Sequence, residues 1–210
     1  MNLTEMIGLV RKDLHDEDIS NYRWSDDNLT RHINRAVKEL SESLPLPARA
    51  ILPTTSGSRE MDISSLSARV MVEAVEYPVG ASPPNYQQFS IWGNTLTIAS
   101  ISEADGSNAC IYYGRLHTLD GSSSTIPIQL EDLVADGACG YAAVEWAGYL
   151  VNRVNVGGTG TSGEFLNWGN QKLMSFRQEL RRLGRRSRVR FSSLYKPYYP
   201  SISKSTDWGP

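Results

Sequence analysis

Three histidines (His15, His32 and His117) and two cysteines (Cys110 and Cys139) are the whole supply of imidazole and thiol in 210 residues. A four-cysteine zinc site is excluded, and an all-histidine metal centre would need every imidazole in the chain. Nucleophilic catalysis needs a Ser or Cys beside a base that a third group orients. His117 is the candidate base, in Arg115-Leu116-His117-Thr118-Leu119 with Asp120 close behind. Where strand-like sequence gives way to helix, it reads more simply as a junction histidine bonded to backbone. His15 and His32 fall among polar neighbours on early helical segments and read as surface residues. Cys110 and Cys139 lie in apolar runs and read as small core hydrophobes. Carboxylates cluster at Asp16-Glu17-Asp18, Asp26-Asp27 and Glu131-Asp132, each at a helix end, where caps and the helix dipole account for acids. A glycosidase pair would require two of them facing across a cleft. Gly158-Thr159-Gly160-Thr161-Ser162-Gly163 satisfies G-x-G-x-x-G, but it follows helical sequence rather than a strand and lacks the lysine of a phosphate loop. It reads as an interhelical loop.

The densest functional chemistry is basic. Arg181, Arg182, Arg185, Arg186, Arg188 and Arg190 place six guanidinium groups in ten residues without a lysine, a choice that favours planar, bidentate contacts to carboxylate or phosphate. Lys172 to Lys196 holds nine basic residues and the single acid Glu179, a balance of +8 on a chain whose remaining residues sum to −10. A basic end on an acidic body is a docking surface for something negative. Phe191, Tyr195, Tyr198 and Tyr199 follow it, with Pro197 and Pro200. Such a segment has no core of its own and is expected to order on a partner.

The elements that must carry these residues follow from hydrophobic period. Leu3, Met6, Ile7, Val10 and Leu14 make one helical stripe over residues 2–16. Ser25 caps a second helix with Asp26 and Asp27 in its first turn; Leu29, Ile33, Ala36, Val37, Leu40 and Leu44 face inward, and Pro45 and Pro47 stop it. From Ala48 to Leu116 the period shortens to six strand-like runs, 48–52, 58–63, 69–77, 87–92, 95–101 and 109–114, with Gly93-Asn94 as a tight hairpin turn. A third helix opens at Pro127 and runs to about Val154, its Gly and Ala content suited to close packing. A fourth runs from Ser162 to Gly184, and Arg185–Pro210 is left as an extended arm. The expected fold is α+β: a bundle of about four helices (1–46 and 118–184) with an inserted antiparallel β domain, a small sandwich or barrel (47–117), and an arginine- and aromatic-rich arm (185–210).

With 40% hydrophobic and 21% charged residues, a packed core forms and global disorder is excluded. Met1-Asn2-Leu3-Thr4-Glu5 has neither a basic start nor a long apolar run, and the most apolar stretch, Ala138 to Val151, is short of a membrane span and contains Glu145. A soluble protein of a reducing cytoplasm is expected, with no metal, no cofactor and no membrane partner.

Several stretches together resemble a tailed-phage head–tail adaptor (head-to-tail connector) protein. They are Arg23-Trp24-Ser25-Asp26-Asp27-Asn28-Leu29 leading into Ile33-Asn34-Arg35-Ala36, Tyr77-Pro78-Val79-Gly80, Tyr113-Gly114-Arg115-Leu116-His117-Thr118-Leu119, Ser124-Thr125-Ile126-Pro127, Gly137-Ala138 with Tyr141-Ala142-Ala143, and the arginine-rich helix end. None is a catalytic motif. The resemblance implies a non-enzymatic virion protein that forms a ring, usually of twelve copies, beneath the portal. Its partners would be the portal, tail or nozzle proteins, further copies of itself, and genomic DNA passing through the channel, with assembly in the host cytoplasm. The docking residues it implies are Arg181, Arg182, Arg185, Arg186, Arg188, Arg190, Phe191, Tyr195, Tyr198 and Tyr199. A nucleic-acid-binding module and a cell-wall hydrolase are the alternatives from other classes.

Overall fold

The computed structural model describes residues 1–101, 103–151 and 162–192. Its helices are α1 (Leu3–Asp13), α2 (Asp26–Ser43), α3 (Glu131–Val151) and α4 (Ser162–Ser192). Its strands are β1 (Leu46–Pro53), β2 (Glu60–Asp62), β3 (Arg69–Glu76), β4 (Tyr86–Gln87), β5 (Phe89–Trp92), β6 (Thr95–Ile98) and β7 (Asn108–Arg115). Helices at both ends of the chain with antiparallel strands between them give the α+β class expected from the hydrophobic period.

Two compact units divide the chain. One comprises Met1–Pro47, Ala68–Val70 and Gly114–Gly184; the other is built from Ala48–Ser67 and Met71–Tyr113. In the helical unit Asn2 and Glu5 form a reciprocal capping box on α1, and Ser25 accepts from Asn28 N–H at the start of α2. Met6, Val10, Trp24, Leu29, Ile33 and Leu40 meet Val134, Ala138, Phe176 and Leu180 in one core. The third helix starts later than Pro127: Ile128–Leu130 form a 3-10 turn and α3 follows at Glu131. The expected end near Val154 lies outside the described residues, as does the glycine-rich stretch from 157 to 161.

Among the described residues, seven strands replace the six expected. Residues 87–92 divide because the chain changes sheet at Gln88, leaving β4 at the edge of the order β1-β7-β3-β4 and β5 at the edge of β2-β6-β5. Neither sheet closes into a barrel, so of the two forms expected the barrel is excluded. The second helix ends at Ser43, before Pro45 and Pro47 as expected, and Pro47 lies within β1, an edge strand, where proline is tolerated. Met61, Ile63, Val75, Leu96, Ile98 and Ile111 form the core of this unit. At the β5–β6 hairpin only Gly93 takes a positive φ (+59°); Asn94 does not share that role.

Candidate functional site

The clustered arginines are positioned by α4. Its buried series is Gly169, Leu173, Phe176, Leu180 and Gly184, spaced four, three, four and four. Glycine occurs where backbone must approach. A Cβ on Gly169 would lie 3.0 Å from Gly140 O, and one on Gly140 would lie 2.8 Å from Leu173 Cγ and 3.1 Å from Gly169 O. A Cβ on Gly137 would lie 3.0 Å from the Phe176 ring and 3.1 Å from Ala36 Cβ. Gly184 is the same kind of residue: its Cβ would stand 3.1 Å from Ser43 O. It therefore does not cap the helix as the sequence suggested, and α4 continues to Ser192.

The expected extended arm is consequently helical over 185–192. At about 3.6 residues per turn, positions 181 and 185 fall in one row and 182 and 186 in the next, both displaced from the buried series. Phe191 lies on the last turn, whereas Tyr195, Tyr198 and Tyr199 lie outside the described residues. Arg181, Arg182, Arg185 and Arg186 are exposed. Arg182 donates from Nε to Glu179 at 2.7 Å across one turn, and Arg181, Arg185 and Arg186 make no ion pair among the described residues. Arg181 lines a 320 Å³ groove with Glu39, Glu42, Ser43, Arg177 and Leu180. There Arg177 donates to Glu39 at 3.2 Å and to the Tyr141 hydroxyl at 3.0 Å. Burial by itself would raise the Glu39 carboxyl; the bonds from Arg177 and Tyr141 outweigh it and hold Glu39 below the usual range.

The motif from Arg23 to Asp27 proves to be architecture around Arg11, a residue the sequence reading passed over. The Arg11 guanidinium is buried and donates to Asp16 Oδ2 (2.8 Å), Trp24 O (3.0 Å) and Asp26 Oδ1 (2.6 Å), with the Tyr22 ring centroid 3.5 Å away. Asp16 also accepts from Arg23 N–H (2.8 Å) and Trp24 N–H (3.3 Å), and Trp24 Nε1 donates to Ala142 O (3.2 Å). The two carboxylates share one guanidinium instead of facing each other across a cleft. An arginine followed five residues later by aspartate, at a helix end before a tryptophan, was the available signal.

His32 is not a surface residue. It is 5% exposed, with Nε2 2.5 Å from Glu145 Oε2, and Arg31 donates to the other Glu145 oxygen. Burial lowers the His32 pKa despite that carboxylate. Burial also pushes Glu145 up, but the bonds from Arg31 and His32 prevail and hold it low. His15 is exposed, as expected, with φ +51° at the end of α1. His117 is the junction histidine expected: Nδ1 lies 2.9 Å from Thr125 O, Nε2 lies 3.0 Å from Leu44 O, and its backbone N–H donates to Ser41 Oγ at 2.9 Å. Cys110 and Cys139 are both buried and unbridged, and burial pushes the Cys139 thiol well up. Among the described residues no three His, Cys, Asp or Glu side chains group as a metal site, and no helix is long and apolar enough to cross a membrane.

The arrangement offers rows of cations on a firmly packed helix, while the histidines and acids brought together elsewhere serve as structural bonds. Comparison with known families agrees with a structural role. A family model described as SU10 adaptor protein matches residues 1–196. No curated protein matches the chain. The match takes in every described helix and strand and supports the resemblance to phage head–tail adaptors: the chain belongs to the SU10 adaptor protein family, whose role in the phage particle is structural.

Proposed function

We propose that this protein is a head–tail adaptor that closes into a ring of twelve copies between portal and tail, continuing the channel through which DNA leaves the head. Family membership carries the reading. The exposed arginines at the end of α4 supply the docking chemistry, since a portal surface rich in carboxylates would accept their forked hydrogen bonds. In this reading Arg181, Arg182, Arg185, Arg186, Arg188 and Arg190, with Phe191, Tyr195, Tyr198 and Tyr199, engage the portal or a neighbouring copy. Residues 1–46 and 118–184 form the ring wall, and residues 47–117 meet tail proteins. Ring contacts are heterologous and close by rotation; in this reading the free chain stays largely monomeric or weakly associated until the portal orders its arm. Electron micrographs of purified portal mixed with the protein test this. An added ring of density is the expected result; portals unchanged at saturating protein would overturn it.

A second reading has the same arginine rows tracking nucleic-acid phosphate. The displacement of both rows from the buried series favours it. It requires DNA binding by the free chain that falls steeply with salt.

A further inference from the structure

Within the helical unit, the loop between α1 and α2 and the last turns of α3 enclose a 520 Å³ groove walled by Tyr22, Trp24, Trp146 and Tyr149. Tyr22 and Trp24 come just before the Ser25 cap, and Trp146 and Tyr149 lie one turn apart on α3. Packing fixes these rings as a set. Trp24 is buried and donates from Nε1 to Ala142 O at 3.2 Å. Its ring centroid lies 5.3 Å from that of Trp146, which lies 5.0 Å from that of Tyr149. The Arg11 guanidinium holds Tyr22, 3.5 Å from the ring centroid. Even so the rings are open: Tyr22 is 40% exposed and Tyr149 45%. Trp146 is half-buried, and its indole N–H, unlike that of Trp24, has no acceptor among the described residues.

Rigid aromatic walls with a spare indole donor suit a proline-rich segment, whose rings lie on aromatic faces and whose carbonyl oxygens accept the donor. The chain contains one such sequence. Pro197-Tyr198-Tyr199-Pro200 is its only P-x-x-P, and Lys196 stands before it. Glu145 is the only acid among the described lining residues. It pairs with Arg31 and His32, yet a carboxylate offers about four acceptor positions, so a lysine can be added. Arg23, the only cation lining the groove, has its guanidinium over the Phe165 ring, 6.0 Å from the centroid.

The same chain cannot supply the segment. α3 and α4 run antiparallel, with Gly137 against Phe176 and Gly140 against Gly169, so the turn carrying Trp146 and Tyr149 lies beside the first turns of α4. From Phe165 to Ser192 that helix extends about 40 Å at 1.5 Å per residue. Five further residues, to Pro197, span at most about 18 Å. We propose that the groove receives residues 196–200 of a neighbouring copy, with Pro197 and Pro200 on the Trp146 and Tyr149 rings and Lys196 at Glu145. The contact joins two different surfaces, so it is the heterologous kind that closes a ring by rotation. The ring itself rests on the adaptor reading above; the pairing of groove and segment is tested without it.

A synthetic peptide of residues 193–204, which omits Trp208, is titrated into the full chain while the Trp146 indole N–H is followed by NMR. A tethered arm meets its groove at roughly millimolar effective concentration, so the expected Kd is about 1 mM or tighter. A peptide with both prolines replaced by alanine should bind at least about fivefold more weakly, and so should the wild-type peptide to a Tyr149→Ala chain of unchanged circular dichroism. No shift of the indole at about 1 mM peptide overturns the proposal, and equal binding in either comparison does the same. The source of the segment is read on portal rings built from heavy-isotope and unlabelled chains, both with the photo-crosslinker benzoylphenylalanine in place of Tyr198. Links from 198 to residues 21–28 or 145–149 in mixed heavy–light pairs are expected. Links confined to one chain, links to portal, or rings without a link to the groove overturn the assignment. Failure of the adaptor reading is seen separately, as absence of ring density with the wild-type chain, and leaves the peptide titration standing.

Discussion

At the scale of residues, the groups with most chemical potential are tied into the fold. His117 bridges the end of α2 to the 118–125 turn through two carbonyl oxygens, and Arg11 satisfies three acceptors at once. The His32–Glu145 pair gives this a pH signature. Unfolding returns His32 to water, where it takes a proton near its ordinary value of 6.5; burial in the fold resists that proton. Below about 6.5 the unfolded chain therefore binds more protons, and stability falls as pH drops toward the depressed folded value. Glu145, held below its ordinary 4.5, adds a further loss at lower pH. Thermal midpoints measured between about pH 7.5 and 5.5 should fall in the wild type, and the fall should flatten in His32→Gln, which keeps a donor to Glu145 but cannot titrate. Parallel curves for the two proteins would show that His32 is not responsible.

At the scale of elements, the bundle depends on glycine where α3 meets α4. Gly140 and Gly169 approach so closely that each would place a Cβ near the other's carbonyl oxygen. Gly140→Ala should destabilise the protein by about 1–3 kcal/mol despite alanine's better helix propensity, because the clash forces the backbones apart. Gly148→Ala, with nothing within 4 Å of its Cβ position, should be neutral or slightly stabilising. Denaturant midpoints of the two variants, compared side by side, measure the difference; equal stability would mean that the helices accommodate a methyl group at the crossing.

At the scale of the whole molecule, the buried series of α4 ends at Gly184 and four of the six clustered arginines lie beyond it. A chain ending at Gly184 should therefore keep its helical and β units and lose co-sedimentation with portal; a folded truncation that still binds at full strength would remove the arm from the assignment. The sequence by itself determined the α+β class, the N-cap of α2, the burial of Cys110 and Cys139, and the arginine concentration, because each is a local pattern of period, cap chemistry or composition. Tertiary structure decided what those patterns could not contain. Gly184 looked like a helix end until Ser43 O was found against it, and His32 looked exposed until Glu145 arrived from more than a hundred residues away. The division of 87–92 between two sheets is likewise set by which strands pair. Pairing is long-range: the choice of neighbour belongs to the assembled sheet, and a run of apolar residues reads the same at its centre and at its edge.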